Sequence, residues 1–188
     1  MAYQLTPLGI SVLALLRERP MHGYEMFQTL VERHDDRIVK VRPGSLYHVV
    51  DRLADEKLIR RASRGRDGNR PERVIFEITD AGVDALTERL RELVASPVNE
   101  FPQFVVALAR IHHLDPEAAV DAVDSRIAAL QGSVAEMTAL RDASVAPAIQ
   151  MVALDYVLTT TEAKVTWLQG FADNLRSGRL RWREERRL

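Results

Sequence analysis

Three segments with helically spaced apolar residues, followed by two short runs rich in β-branched residues, occupy the first 80 positions. This order constrains the fold more than any other feature of the chain. Thr6 and Pro7 predict the start of the first helix, because a threonine oxygen caps helices well and proline is tolerated at the first helical position. The helix should end near Arg19, since the residue before Pro20 is disfavoured in the helical conformation.

The next two segments predict two more helices. The second is expected from about Met21 to His34, with an apolar face formed by Tyr24, Phe27, Leu30 and Val31. Gly23 should allow close approach of another helix, and the Tyr24 ring should be buried with its hydroxyl in water. The third helix should begin near Pro43 and turn inward Leu46, Val49, Val50 and Leu53.

A β-hairpin is predicted after these helices. Residues 58–62 and 73–78 are the two β-like runs, and the connector between them contains two glycines, an asparagine and a proline. The connector is also rich in arginine. Three helices followed by a hairpin with a basic tip is the order of a winged helix-turn-helix, in which the third helix enters the DNA major groove.

Beyond the hairpin the chain is expected to be helical. A connecting helix should start at Thr79 and end before Pro97, and a short apolar helix should run from Phe101 to Ile111, beginning at Pro102. Asp115 and Pro116 then mark the cap and first residue of a long helix. Its apolar residues repeat at steps of three and four: Val120, Val123, Ile127, Leu130, Val134 and Met137.

The last helix should start near Pro147 and carries apolar residues on two sides. One stripe consists of Ile149, Val152, Tyr156, Thr160, Ala163, Trp167 and either Gly170 or Phe171, and the other of Leu154, Val157, Leu158, Val165 and Leu168. A helix that is apolar on two sides has to be covered on both, and the rest of this half is too small to do so alone. We expect a second copy of the chain to cover one stripe, because homodimers are the commonest assembly.

The predicted fold class is therefore mainly α. A winged helix-turn-helix DNA-binding domain of three helices and a β-hairpin wing should occupy residues 1–96. An α-helical dimerisation domain, which is also the candidate effector domain, should occupy residues 97–188.

The charge of the chain is unevenly distributed. The formal net charge is only −1, but residues 37–73 hold 11 basic and 5 acidic residues, whereas residues 96–175 hold 4 basic and 10 acidic ones. This asymmetry is typical of a protein in which one region meets a polyanion. The alternative is a solvated charged surface without a partner.

Several classes of protein are excluded or disfavoured. The chain has no cysteine, so disulfides, thiolate nucleophiles and cysteine-ligated metals are excluded. Apolar runs are too short for a membrane span and the first 20 residues are charged, so we expect a cytoplasmic protein without a membrane partner. Motifs of the common enzyme classes are missing, and the adjacent His112 and His113 diverge by about 100° on a helix. We therefore expect no enzyme, cofactor or metal site; a hydrolase in the helical half remains a disfavoured alternative.

Four motifs occur in order between residues 22 and 82: His22-Gly23-Tyr24-Glu25, Val41-Arg42-Pro43-Gly44-Ser45-Leu46-Tyr47, Arg70-Pro71-Glu72-Arg73 and Thr79-Asp80-Ala81-Gly82. Together they resemble the PadR family of bacterial transcriptional regulators over about residues 5–90. The second half resembles, more weakly, the virulence-activator-type helical domain of the longer members. The resemblance implies a DNA-binding repressor that some members release on binding a phenolic or planar hydrophobic compound. His48-Val49-Val50 departs from the family pattern, which bears on the operator sequence and not on the fold.

The candidate DNA-binding residues lie around the third helix and on the wing. Arg42 and Arg52 can anchor phosphate or guanine, Ser45 offers a hydroxyl beside the free N–H groups of the helix start, and Lys40 can reach the DNA backbone. Tyr47 and His48 follow within the first turns. Along the flanking groove we expect the wing residues Arg64, Arg66, Asn69 and Arg70. The alternatives are that Tyr47 belongs to the core and that Arg52 and the wing arginines are solvated.

The candidate effector site is the set of aromatic residues in the second half: Phe101, Phe104, Tyr156, Trp167 and Phe171. Their alternative role is ordinary core packing. Taken together, the sequence predicts a homodimeric repressor that reads an inverted repeat in double-stranded DNA, with half-sites about 34 Å apart or a multiple of that, and that responds to a small-molecule effector. The alternative is a winged-helix module that binds proteins or ligands without sequence-specific DNA binding, which would more often show an apolar patch on the third helix.

Overall fold

The computed structural model describes residues 3–62, 74–97, 100 and 102–180. The chain divides into two compact units, residues 1–99 and residues 100–188. The boundary expected from the sequence follows residue 96. The described part is mainly helical with one small antiparallel sheet, which confirms the predicted fold class. None of its helices is long and apolar enough to span a membrane.

The first unit follows the predicted order of helices and hairpin. Its elements are α1 (Pro7–Glu18), β1 (Met21–His22), α2 (Gly23–Glu32), α3 (Pro43–Asp55), β2 (Ile59–Arg61), β3 (Ile75–Ile78) and α4 (Asp80–Ala95). A short 3₁₀ turn, Asp35–Arg37, lies between α2 and α3. The α2–α3 pair is the helix-turn-helix, and β2 and β3 form the base of the wing.

The predicted ends of α1 and the start of α4 are confirmed. Thr6 Oγ1 accepts a hydrogen bond from the Gly9 N–H at 3.1 Å, and Arg19 is extended before Pro20. Thr79 Oγ1 likewise accepts from the Gly82 N–H at 3.1 Å. Side-chain caps thus fix where both helices begin, because the first N–H groups of a helix lack partners within it.

The prediction for α2 was wrong in its bounds and in its buried face. Residues 21 and 22 are extended and form β1, and the helix begins only at Gly23 because the His22 side chain caps it. Tyr24 and Val31, expected to be buried, are exposed. The inward face instead consists of Gly23, Met26 and Leu30, with Phe27 partly buried beside them. A helix end at Glu32 follows from His34, whose φ of 59° is left-handed.

The sheet has the strand order β1-β3-β2, with all neighbours antiparallel. Ile59 pairs with Ile78 in the predicted hairpin, which is confirmed, and Met21 pairs with Phe76 on the other edge of β3. Strand β1 has only two residues, too few to show a β pattern in the sequence. The hairpin tip, residues 63–73, lies outside the described residues.

One core joins the elements of the first unit. Its fully buried large side chains come from α1, β1, α2, α3, β2 and α4, and include Leu13, Met21, Met26, Leu30, Leu46, Leu53, Ile59 and Leu86. On α3 the predicted inward residues Leu46, Val50 and Leu53 are buried and Val49 is partly so. The outward face of α3 is therefore left for solvent or a partner.

The second unit is a helical hairpin with a short preceding helix. Its elements are α5 (Gln103–Ala109), a 3₁₀ turn (Ile111–His113), α6 (Pro116–Ala143) and α7 (Ala148–Arg176). The short helix is thus two residues shorter at each end than the predicted span from Phe101 to Ile111. Asp115 precedes α6 as expected, but its side chain makes no capping hydrogen bond. The helix start rests on Pro116, whose fixed φ suits the first helical position.

The α6–α7 contact buries one of the two apolar stripes of α7. Val123 and Ile127 of α6 pack with Val165, Leu168 and Ala172 of α7. On the opposite side of α7 the other stripe is exposed: Ile149 is 80% accessible, Tyr156 70% and Trp167 53%. The sequence-based expectation that one chain alone cannot cover both stripes is confirmed for the described residues.

Candidate nucleic-acid interface

The N-terminus of α3 differs from those of the other helices of the first unit. The N-termini of α1, α2 and α4 are capped by side chains, those of Thr6, His22 and Thr79. Arg42, the residue at the cap position of α3, makes no side-chain cap hydrogen bond, and Pro43 is the first helical residue. The exposed Gly44 and Ser45 carry N–H groups that have no acceptor within the helix. This helix end can accept an anion such as a phosphate oxygen.

The outward face of α3 is polar. Opposite the buried Leu46, Val50 and Leu53 lie its exposed residues Gly44, Ser45, Tyr47, His48, Asp51, Arg52 and Asp55. Of the predicted contact residues, Ser45, Tyr47 and His48 thus share the solvent-facing N-terminal half of one helix. Lys40 and Arg42 are exposed immediately before it. The structure brings these five predicted residues to one surface of the first unit.

Tyr47 has both a packing and a surface role. A Cβ placed on Gly23 would lie 2.7 Å from Tyr47 Cε1, so the phenol ring rests directly on the glycine of α2. The side chain is nevertheless 49% exposed. Its ring therefore holds α2 against α3 while one edge stays accessible, and the expectation that Gly23 allows close helix approach is confirmed.

Arg52 is held by neighbours within the unit. Its guanidinium forms an ion pair with Glu56 at 3.0 Å, and Arg52 Cζ lies 5.3 Å from the centroid of the Tyr3 ring. Burial raises the pKa of the Tyr3 phenol, and the positive charge of Arg52 opposes this rise. The pairing joins the N-terminal segment to the end of α3. Any contact of Arg52 with DNA has to compete with these two partners.

Most of the basic residues near α3 lie before or after the helix, and Arg52 is the exception within it. Lys40 and Arg42 precede the helix, whereas Lys57, Arg60 and Arg61 follow it in the turn and on β2. Arg60 forms a cross-strand ion pair with Glu77 at 2.7 Å. A row of flanking cations suits two stretches of phosphate backbone on either side of a groove.

Four predicted wing contacts cannot be placed, because they lie outside the described residues: Arg64, Arg66, Asn69 and Arg70. The bases of the strands on either side of them are described. Ala62 N–H donates to Ile75 O at 2.8 Å, which continues the β2–β3 ladder toward the tip.

Two residues of the helix-turn-helix have roles that the sequence-based interpretation missed. His22 Nδ1 accepts a hydrogen bond from the Glu25 N–H at 3.0 Å and so caps α2. Tyr24, expected to be buried, is 56% exposed one residue after Gly23, with its hydroxyl 3.3 Å from Gln28 Nε2. Both roles follow from the start of α2 at Gly23. His22 is then the residue at the cap position, and Tyr24 lies on the side of the helix that faces away from Met26 and Leu30.

The candidate effector residues are spread over the second unit. Trp167 and Phe171 stack with ring centroids 5.3 Å apart, and Phe104 and Phe171 pack against the α6–α7 core. Arg126 lies over the Phe104 ring, 3.6 Å from its centroid. Tyr156 is three turns away from Trp167 on α7 and exposed, and Phe101 lies outside the described residues. Trp167 and Phe171 are thus in contact, Phe104 packs against the same core as Phe171, and Tyr156 lies apart from Trp167 along α7.

The His112–His113 pair lies in the 3₁₀ turn before α6. The two rings are adjacent, with centroids 4.3 Å apart, and both residues are exposed. Within the described ranges no group of three or more histidines and carboxylates is arranged to hold a metal ion.

Comparisons with known proteins agree with this geometry. The model of the transcriptional regulator PadR-like family matches residues 12–88. A search among curated proteins found no significant match. Solved structures with a similar fold include Bacillus subtilis PadR in complex with operator DNA (TM-score 0.73, 18% identity, 90% of this chain and 99% of that chain).

Two further structures cover both units of this chain. Bacillus subtilis PadR in complex with p-coumaric acid has a TM-score of 0.73 at 17% identity, over 90% of this chain and 98% of that chain. The Vibrio cholerae virulence activator AphA has a TM-score of 0.68 at 18% identity, over 90% and 98%. At these identities the likeness establishes the fold, and the family model establishes the relationship of the DNA-binding half. The expectation that the chain is not an enzyme is also confirmed, since the family is one of transcriptional regulators. Residues 12–88 of the chain belong to the PadR-like family of transcriptional regulators.

Proposed function

We propose that this regulator is a homodimeric repressor that binds an inverted repeat in double-stranded DNA. Helix α3 of each subunit enters the major groove, and the wing lies along the flanking groove. The observation that carries the proposal is the uncapped, solvent-facing N-terminus of α3, with Arg42, Ser45 and His48 exposed around it. Helix N-termini and flanking arginines are the groups that position a recognition helix on DNA.

The alternative, a winged helix that binds protein, is less well supported. Its recognition surface would be expected to include a continuous apolar patch. The exposed residues of α3 are polar or charged, apart from Pro43, Gly44 and the half-exposed Tyr47. Basic residues flank this surface on both sides.

The dimer is supported by the exposed stripe of α7. Ile149, Val152, Tyr156 and Trp167 are all more than half exposed in the single chain, although they lie on one side of one helix. An apolar surface of this kind marks an interaction site. A second copy seated on the same stripe would give a two-fold interface and place two DNA-binding units on one operator.

A small-molecule effector is the second part of the proposal. The stacked Trp167 and Phe171 offer a flat apolar surface for an aromatic compound, and Phe104 packs against the same core as Phe171. The related PadR structure with p-coumaric acid supports a phenolic compound as the first probe. Addition of p-coumaric acid should quench Trp167 fluorescence, and the quenching should be weakened in Phe171→Ala, which keeps the fluorophore and removes its stacked neighbour. The effector role is contradicted if the compound binds without weakening DNA binding.

The DNA-binding proposal is tested by selecting bound sequences from a random duplex pool and measuring affinity by fluorescence anisotropy over a range of salt concentrations. The selected DNA should contain an inverted repeat, and affinity should fall steeply with salt. The slope of log affinity against log salt is negative, and Arg42→Ala should make it shallower by about one, as expected when one phosphate contact is lost. Arg52→Ala should change it less, because Arg52 is paired with Glu56. Arg141→Ala in the second unit is the control.

Two results would contradict the proposal. One is binding that selects no sequence; the other is an unchanged salt slope in both arginine variants. The sign of regulation needs a separate measurement, with the selected operator placed upstream of a reporter gene. Expression should rise when the regulator is deleted, and a fall would indicate an activator.

A further inference from the structure

The outward face of α3 carries a row of four residues: Gly44, His48, Asp51 and Asp55. They follow the spacing of four, three and four that aligns residues along a helix, directly opposite the buried Leu46, Val50 and Leu53. All four are exposed. The two acidic members lie on the face that the proposed function turns toward DNA.

Neither helix stability nor general DNA affinity accounts for Asp51. Aspartate is a poor helix former in a helix interior, and Asp51 and Asp55 are like charges four residues apart, which destabilises a helix. A carboxylate near phosphates also weakens binding to any DNA sequence. Asp51 has no hydrogen-bond or ion-pair partner among the described residues, and the neighbouring Arg52 is paired with Glu56 instead.

A carboxylate in the major groove has one favourable use, which is to accept a hydrogen bond from an exocyclic amino group. The N4 amino group of cytosine is the donor that aspartate and glutamate contact there. Opposite guanine and thymine the same carboxylate meets the acceptor atoms O6 and O4 and is repelled, and the N6 amino group of adenine lies beside the acceptor N7. The cost of this charge on a DNA-facing helix is therefore offset at particular sequences only.

We propose that Asp51 reads a cytosine in each half-site, accepting a hydrogen bond from its N4 amino group. The inference rests on the proposed DNA-binding function and deepens it by assigning a base to one residue. His48, one turn before Asp51 in the same row, would face the adjoining base pair. Asp55 is the last residue of α3, one turn farther than Asp51 from the N-terminal residues through which a recognition helix contacts base edges.

The test uses the full chain and the same selection of bound duplexes for the wild type and three variants. Wild type should prefer cytosine at one position of each half-site by about tenfold. Asp51→Asn should shift this preference to adenine, since asparagine pairs with adenine N6 and N7. Asp51→Ala should bind all four bases at that position within about twofold of one another. Asp55→Asn is the matched control and should keep the cytosine.

The outcomes separate this inference from the function beneath it. If wild type selects no motif, the proposed function and the inference both fail. If wild type selects a motif but Asp51→Ala binds the same motif more tightly at every position, Asp51 only repels phosphate and the inference alone is overturned. A motif changed equally by Asp55→Asn overturns it as well, because the effect is then one of net charge. Thermal unfolding of each variant verifies that the exposed substitutions leave the fold intact.

Discussion

Gly23 of α2 and Tyr47 of α3 are in direct contact: a Cβ on Gly23 would lie 2.7 Å from Tyr47 Cε1. This contact joins the two helices of the helix-turn-helix at the point where Tyr47 leaves the core and becomes half exposed. The angle between the helices thus depends on a position without a side chain. Substitutions at Gly23 should affect DNA binding through Tyr47, without a contact of their own.

Gly23→Ala should lower the free energy of unfolding by about 1 kcal/mol. Overpacking against Tyr47 costs about 1–3 kcal/mol, and the better helix propensity of alanine returns up to about 1 kcal/mol. In a Tyr47→Ala background the same substitution should be neutral or stabilising. Chemical denaturation of the four proteins of this double-mutant cycle measures the coupling. Equal effects in both backgrounds would mean that the ring moves aside without strain.

Gly82→Ala should be far more damaging, with a loss of about 3 kcal/mol or more. Its Cβ would lie 2.1 Å from Leu58 O, a backbone atom that already accepts hydrogen bonds from the N–H and hydroxyl of Thr79. The carbonyl has to move, which breaks the junction between β2 and α4. Urea unfolding measures the loss, and a cost under about 1 kcal/mol would contradict it.

Gly44→Ala should have the opposite pattern, and it is the matched comparison for Gly82→Ala. A Cβ at Gly44 meets no atom within 4 Å, so unfolding should be unchanged or slightly harder. DNA affinity should nevertheless fall, because the added methyl group lies where the proposed interface brings a phosphate to the helix end. Anisotropy on the selected operator measures the loss; unchanged affinity would place the DNA elsewhere.

The ion pair between Glu18 and Arg33 should make stability depend on pH. Arg33 donates two hydrogen bonds to the Glu18 carboxylate, at 2.6 and 2.8 Å, and holds the pKa of that carboxyl below its ordinary value of 4.5. Its contribution is therefore present above pH 4.5 and lost as the pH falls through the lower pKa of the folded state. Both side chains are about half exposed, so the pair is worth less than about 1 kcal/mol.

Glu18→Gln should accordingly destabilise the protein by less than about 1 kcal/mol at pH 7, and the difference should disappear as the pH falls through the lowered pKa of the Glu18 carboxyl. Thermal unfolding of both proteins from pH 7 downward tests the prediction. A difference that does not shrink as the pH falls would show that the geometry and not the charge matters.

Tyr156→Asp should break the proposed dimer. Tyr156 is 70% exposed in the single chain, and a carboxylate there would be buried without a partner when a second copy covers the stripe. Thr166→Asp is the matched control, since Thr166 is exposed on the polar side of α7 with Glu162 and Asp173. Sedimentation equilibrium at micromolar concentration should find Tyr156→Asp monomeric and the control dimeric. A dimeric Tyr156→Asp, with circular dichroism unchanged, would move the interface to another surface.

Sequence reasoning performed best where one residue decides the local structure. Thr6, Thr79 and Pro43 marked helix starts correctly, because caps and prolines act through the backbone next to them. It failed at α2, where the apolar Tyr24 and Val31 were assigned to the core. The buried face of α2 instead includes Gly23, which has no side chain. The Tyr47 ring packs directly against this glycine, and Tyr24 and Val31 stay exposed.

The candidate site shows the same division. Residue type identified Lys40, Arg42, Ser45, Tyr47 and His48 as candidates, and periodicity was sufficient to predict that they share the outward side of α3 or precede it. Arg52 has the same residue type as Arg42, but the structure pairs it with Glu56 and Tyr3. The Tyr3 contact joins residues far apart in the sequence, so no local pattern contains it.

The amino-acid sequence by itself determined the order of helices and strands, the basic and acidic regions, and the two apolar sides of α7. These properties follow from spacing, capping and charge, which act over a few residues. Only the tertiary structure decided which side of α7 is buried, which aromatic residues stay exposed, and that Arg52 contacts Tyr3 and Glu56 while Asp51 has no such partner among the described residues. Those outcomes depend on how elements distant in the chain pack together, because packing selects one face of each helix from several that its sequence allows.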